Sequence, residues 1–194
     1  MFHSSQPALI LIDVQVAIDS YSEHPRNHPD AEQKMHQLLQ LWRERELPVF
    51  HVRHASKFPG SPYHPDKASH AFKPEVAPLD SESIVTKSEN SAFIGTNLNC
   101  LLKSQGISEL VICGVLTNNS VDATARVAAG YGYTCYLVSD AMAACGMTLL
   151  SGDVVEAEKV HEIFLSNLHG EYGTVCYSGD ILTNLSESSR SFDS

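Results

Sequence analysis

Apolar residues along this chain follow two rhythms. Ala8-Leu-Ile-Leu-Ile-Asp-Val14 is an apolar run broken only by Asp13, and such a run predicts a strand buried on both faces. Residues 49–54, 83–87, 110–115, 134–139 and 174–177 predict five more strands. Between them the spacing changes to three and four. Met35, Leu38, Leu39 and Trp42 predict a helix with Asp30 as its cap and Pro48 as its stop. Leu98, Leu101 and Leu102 predict a short helix over 97–105, ended by Gly106. A small-residue stretch, 121–129, predicts a third helix, and 154–168 a fourth, after the punctuating glycines at 146 and 152.

Strands that alternate with helices, most of them near-continuous apolar runs, predict an α/β fold. Its six-stranded, mostly parallel sheet is covered on both faces. One domain over 1–185 is expected, followed by a Ser-rich tail, 186–194, expected to be disordered. Two polar connections stand out. Residues 15–29 form a loop, and residues 55–80 carry Pro59, Pro62, Pro65, Pro74, Pro78 and Gly60. A connection that long in a compact domain usually walls or covers a site.

Composition narrows the function classes. The chain has 194 residues, 43% hydrophobic and 19% charged, with a formal net charge of −10. An acidic chain without a basic patch has no general pull on nucleic acid or anionic membranes. No apolar stretch approaches the roughly 20 residues of a membrane span, and MFHSSQP does not read as a signal peptide. The five cysteines are scattered and form no C-x-x-C pair. A reduced, cytoplasmic protein with small-molecule partners is expected.

The chemistry gathers at strand ends. Asp13 follows the first strand, Lys87 ends the third, and Ser120 follows the fourth in the turn Thr117-Asn118-Asn119-Ser120. Ligands of open parallel sheets bind at the carboxyl ends of strands. A carboxylate inside ALILIDV is costly to bury without a partner, and Lys87 is a candidate countercharge. Ser120 sits at a helix N-terminus, where backbone N–H groups and a positive partial charge meet the solvent side. It either reacts, caps the helix, or stands where a stronger nucleophile belongs.

These residues and their surroundings resemble the isochorismatase-like hydrolases, the cysteine hydrolase superfamily. The resemblance runs in order through LILIDVQ, VFHVRH, KPEVAPL, VTKSENSAFIGTNL, LVICGVLTNNSVDATARVAAGYGY, LVSDAMAA and LSNLHGEYGTV. It implies a Rossmann-like three-layer α/β/α sandwich and an Asp–Lys–Cys catalytic set. Asp13 matches the acid/base aspartate and Lys87 the catalytic lysine, while Ser120 stands where most members have cysteine. The resemblance also implies a cis peptide between Val115 and Leu116, with the Leu116 and Ser120 N–H groups facing an oxyanion. It implies a homodimer or homotetramer.

Serine changes the chemistry. A thiol at a helix N-terminus beside Lys⁺ ionises readily, whereas a hydroxyl normally needs a histidine base. The chain is expected to cleave an amide or imide C–N bond of a small polar metabolite, or the vinyl ether of isochorismate, as some cysteine-free members do. The alternative is a catalytically silent binder of the same fold. The TNN turn is more similar to the amide-cleaving members. Gln15, Arg53, His54 and Phe93 are candidate pocket residues. Metal-binding members carry an Asp-x-His signature near strand two that VFHVRHAS lacks, so no metal and no cofactor are expected. The glycines form no G-x-G-x-x-G fingerprint.

Overall fold

The structure, a computed structural model, describes residue 2 and residues 6–188. Strand β1 (Ala8–Ile12) is followed by α1 (Ala31–Glu44), β2 (Val49–His54) and β3 (Ser83–Lys87). Then come α2 (Leu98–Ser104), β4 (Glu109–Val115), a π-helical turn (Thr117–Val121) and α3 (Asp122–Gly130). Strand β5 (Thr134–Ala143), the short strands β6 (Met147–Thr148) and β7 (Val154–Val155), α4 (Ala157–Leu168), β8 (Thr174–Cys176) and α5 (Ser178–Ser188) complete the order. Among the described residues no helix is long and apolar enough to cross a membrane.

Six strands form one sheet in the order β3-β2-β1-β4-β5-β8, and every pair in it is parallel. The chain walks outward from β1 to β3, then returns to place β4 on the other side of β1. Strand order therefore reverses between β1 and β4, which opens a crevice at their carboxyl ends.

Side-chain alternation assigns the two faces. Leu9 and Leu11 join Val111, Cys113 and Val138 under α1 and α5. Ala8, Ile10 and Ile12 join Leu110, Ile112 and Leu137 under α2, α3 and α4. The stripe Met35, Leu38, Leu39 and Trp42 is fully buried, and the Trp42 indole N–H donates to the Pro7 carbonyl at 2.9 Å.

The structure corrects four local expectations. Asp30 precedes α1 but makes no side-chain cap bond. Val154 and Val155 are not helical; they pair antiparallel with Thr148 and Met147 in a hairpin, so α4 starts at Ala157. Their β-branched side chains suit that pairing, and Gly152 at φ +94° closes the turn. Strand β5 runs past Ser139 to Ala143 because its register with β4 shifts at Gly114 and pairing resumes at Met142. Helix α5 lies outside the four helices that the spacing predicts. It buries Ile181 and Leu185 against the α1 face, and the Asp140 carboxylate accepts both the N–H and the hydroxyl of Ser178 at 2.7 and 2.6 Å. The expected disordered tail begins inside this helix, and residues 189–194 lie outside the described residues.

Candidate active site

Three strand ends and one turn converge on the crevice. Asp13 follows β1 with φ +54°, a left-handed conformation that aspartate tolerates better than most residues. Lys87 ends β3 with its side chain fully buried. The π-helical turn after β4 runs directly into α3, so Ser120 lies in the first turn of a continuous helical segment. The Val115–Leu116 peptide is cis.

Lys87 Nζ donates to Asp13 Oδ2 at 2.6 Å and to Ser120 Oγ at 3.1 Å. His54, at the end of β2, brings Nδ1 to 3.5 Å from the same ammonium. Asp13 is 4% exposed, and its Oδ1 has no hydrogen-bond partner among the described residues. Burial pushes the Asp13 carboxyl above the ordinary aspartate range, and the Lys87 charge opposes that push. Burial, then the Lys87 charge, holds the His54 ring below the ordinary histidine range.

A cavity of about 270 Å³ opens over this group. Its walls include Asp13, His54, Leu116, Asn119 and Ser120 from the strand ends and the turn. Tyr21 comes from the 15–29 loop, Ser56, Phe58, Ser61 and Tyr63 from the 55–80 loop, and Asn90 from the segment after β3. Loops carry no periodicity, so these loop residues were not singled out from sequence. A larger cavity of about 660 Å³ lies at the opposite ends of β2 and β3, where Arg43 and Glu82 are already paired with each other at 2.7 Å.

Three candidate pocket residues point elsewhere. Gln15 is buried beneath the site, not in the cavity wall. Its Oε1 accepts the His54 N–H at 2.7 Å, and its Nε2 donates to the carbonyls of His54 and His70 at 3.2 and 2.8 Å. It fixes the end of β2 and ties the 55–80 loop to it. Arg53 neighbours His54 on a strand and so faces the other way; its Nε donates to Thr86 Oγ1 at 3.0 Å. Phe93 packs in the core beside Tyr131 and Tyr133, with ring centroids 5.6 and 5.9 Å away. His51 is fully buried and bonds Glu82 at 2.9 Å, away from the cavity. Among the described residues no three His, Cys, Asp or Glu side chains are grouped to hold a metal ion.

His161 supports the turn from behind. Its Nδ1 lies 2.8 Å from Thr117 Oγ1 and its Nε2 3.0 Å from Ser139 Oγ. Burial, reinforced by the edge-on His28 ring, pushes its pKa down to about 4. An unfolded histidine titrates near ~6.5, so the folded state binds its proton less readily. The neutral ring's contribution is complete above that pH and is lost as pH falls from about 6.5 towards 4. We expect stability to fall by on the order of 1–2 kcal/mol between pH 7 and pH 5 from this residue. The His161→Gln variant should lack that part of the fall, read from urea midpoints at the two pH values. An unchanged difference between the midpoints would show that His161 is not its source.

Known proteins carry related chains. The isochorismatase domain model matches residues 7–170. The isochorismatase family protein YrdC of Bacillus subtilis is 39% identical over 177 residues, 91% of this chain and 95% of that protein. Streptothricin hydrolase of Streptomyces noursei is 33% identical over 136 residues, 70% of this chain and 49% of that one. Maleamate amidohydrolase of Pseudomonas putida is 30% identical over 115 residues, 59% and 49% of the two chains. The crystal structure of an isochorismatase-family protein from Chromobacterium violaceum superposes with a TM-score of 0.93 at 48% identity, covering 96% of each chain. With the family's domain over most of its length, its α/β sheet and hydrolases among its relatives, this chain belongs to the isochorismatase family of hydrolases.

Proposed function

We propose that this hydrolase cleaves a C–N bond in a small neutral amide or imide, through Asp13, Lys87 and Ser120. The observation that carries the reading is the charge of the cavity. Among the described residues its lining includes neither arginine nor lysine, and the ammonium behind it is committed to Asp13 at 2.6 Å. Isochorismate carries two carboxylates, which need cationic or strongly donating partners once desolvated. A neutral carbonyl compound needs none. The name of the relative maleamate amidohydrolase supports C–N cleavage as a chemistry of this fold.

On this reading each group acts in turn. Ser120 Oγ attacks the carbonyl carbon while its proton passes to Asp13. The developing oxyanion faces the N–H groups of Leu116 and Ser120, each worth about 2.7–4 kcal/mol in such a role. The C–N bond breaks, and the nitrogen leaves with the proton held by Asp13. Water then attacks the seryl ester and gives a proton to Asp13; the acyl C–Oγ bond breaks, Asp13 passes that proton to Ser120 Oγ, and the carboxylic acid leaves. An aspartate held above its ordinary range by burial suits this exchange near neutrality. A hydroxyl is a weaker nucleophile than a thiolate, so turnover with Ser120 is slow.

The test compares the chain, its Ser120→Cys form and Asp13→Asn in both. Ammonia release from neutral primary amides, ring opening of cyclic imides and pyruvate release from isochorismate are followed. The Cys form should release ammonia faster than the Ser form. Asp13→Asn should lower kcat by about 10²–10⁴-fold with either nucleophile. Pyruvate from isochorismate as the faster reaction would assign the vinyl ether instead. Silence from both nucleophiles would leave a binding protein.

A further inference from the structure

The turn that carries Ser120 is wider than an ordinary helical turn, and its width leaves the Ser120 N–H out of the backbone ladder. The Leu116 carbonyl accepts from the Asn119 N–H at 3.0 Å and from the Val121 N–H at 3.2 Å. The Val121 bond spans five residues, the π spacing of this turn. Among the described residues the Ser120 N–H makes no bond to that carbonyl. An α turn, with its bond from N–H to the carbonyl four residues back, would pair those two groups. The site would then lose a donor. A π turn is a rare arrangement that persists where its surroundings hold it.

Its two ends are anchored differently. Val121 is fully buried in the core of the α2–α4 face. Thr117 is also fully buried, and is held by its hydroxyl: Oγ1 lies 2.8 Å from His161 Nδ1. The ring is fixed on its far side by Ser139 Oγ at 3.0 Å, and the His28 ring packs edge-on at 4.7 Å. His28 is itself tied to β5, with Nδ1 2.9 Å from the Met142 carbonyl oxygen. Helix α4, strand β5 and the exit of the 15–29 loop thus fix one imidazole, and that imidazole fixes the first residue of the turn.

We infer that His161 is a positioning residue for the nucleophile. By holding Thr117 it keeps the turn at π width, and so keeps the Ser120 N–H unpaired and Ser120 Oγ beside the Lys87 ammonium, at 3.1 Å. His161 does not line the cavity over Ser120; it acts through Thr117. Without that bond Thr117 is free to rotate, the turn closes to α spacing, and the Leu116 carbonyl takes the Ser120 N–H. The inference rests on Ser120 as the reacting position and is independent of which bond the site cleaves.

A thiol reads the turn without any substrate. Ser120→Cys is made in the full chain carrying Cys100→Ser, which removes the exposed cysteine. Alkylation by iodoacetamide is followed across about pH 5–10, and the modified peptide is identified by mass. Throughout that range the His161 ring, with its pKa of about 4, stays neutral. Asp13, Lys87 and His54 surround the thiol in every variant, so their effect cancels from the comparison. A thiolate beside an ammonium and an unpaired N–H is stabilised, and the midpoint should lie below the ordinary ~8.5. Adding Thr117→Val, which keeps the volume and removes the hydroxyl, should raise the midpoint by about one unit, a tenfold change in ionisation. His161→Phe should do the same, and the two together no more than either alone. Thr117→Ser, which keeps the hydroxyl, should preserve the low midpoint. Tyr133→Phe loses one hydrogen bond, to Asn99 Oδ1 at 2.8 Å, at the amino end of β5; it should lower the melting temperature and leave the midpoint in place. The Thr117 variants decide the matter alone if His161→Phe does not fold. A midpoint unmoved by Thr117→Val, moved as far by Tyr133→Phe, or additive shifts at positions 117 and 161 overturns the inference and leaves Ser120 its role. An ordinary midpoint before any of these changes overturns it together with the nucleophile role proposed above.

Discussion

Replacing Lys87 by methionine should destabilise the protein by about 3–5 kcal/mol at pH 7, because it leaves the Asp13 carboxylate buried and alone. The pair is held at 2.6 Å with 0% and 6% of the two side chains exposed, so water cannot substitute for the lost ammonium. The variant's pH dependence reveals the cause. Burial already raises the folded-state pKa of Asp13, and Lys87 is the first influence lowering it; without Lys87 it rises further. A carboxyl whose folded pKa lies above its unfolded value contributes fully below the unfolded value, near ~3.9, and that contribution is lost as pH rises through the folded pKa. Lys87→Met should therefore come closer to the parent in acid than at neutrality. The double variant Asp13→Asn/Lys87→Met should recover much of the loss at pH 7 while showing no turnover, since no charge is then buried. Urea denaturation of the parent, Lys87→Met and the double variant at pH 4.5 and 7 tests this. A double variant no more stable than Lys87→Met would mean that packing, not charge, is what Lys87 supplies.

Gly114→Ala should cost more than about 4 kcal/mol and yield little soluble protein. Gly114 has φ +125°, and a Cβ built there lies 2.2 Å from the Ile12 carbonyl oxygen and 2.6 Å from the Ile12 nitrogen. Both atoms are backbone, in a strand paired on both sides, so neither can swing away as a side chain would. The positive φ adds its own penalty for any residue with a Cβ. The site needs this close approach: Ile12 and Gly114 are register partners, and the residues that follow them are Asp13 and, two positions on, Leu116. Soluble yield and a thermal melt decide the matter. A folded Gly114→Ala protein melting within a few degrees of the parent would show that β1 and β4 can separate there without loss.

The order of strands and helices was legible because burial writes itself into the chain as a period. Near-continuous apolar runs marked most of the strands of the parallel sheet, and the stripe from Met35 to Trp42 marked the face of α1 that packs on it. Asp13, Lys87 and Ser120 stood out because each interrupts such a pattern at a strand end, where a charge or hydroxyl gains nothing from the core. That much the one-dimensional pattern determined by itself. It reports whether a position is buried, and is silent about what the position meets. The sheet order decided the rest, by setting β3 and β2 beside β1 and β4 on its other side. That order places Lys87, at position 87, and His54, at position 54, on one ammonium contact with Ser120. The same packing sends Gln15 beneath the pocket, turns Arg53 away from it, and claims Phe93 for the core. The glycine at 114 reads in sequence as an ordinary small residue; only the crossing of two backbones makes it obligatory. Tertiary structure was needed at each of these points for one physical reason: partners far apart in the chain are chosen by the geometry of the sheet, and no local propensity encodes that distance.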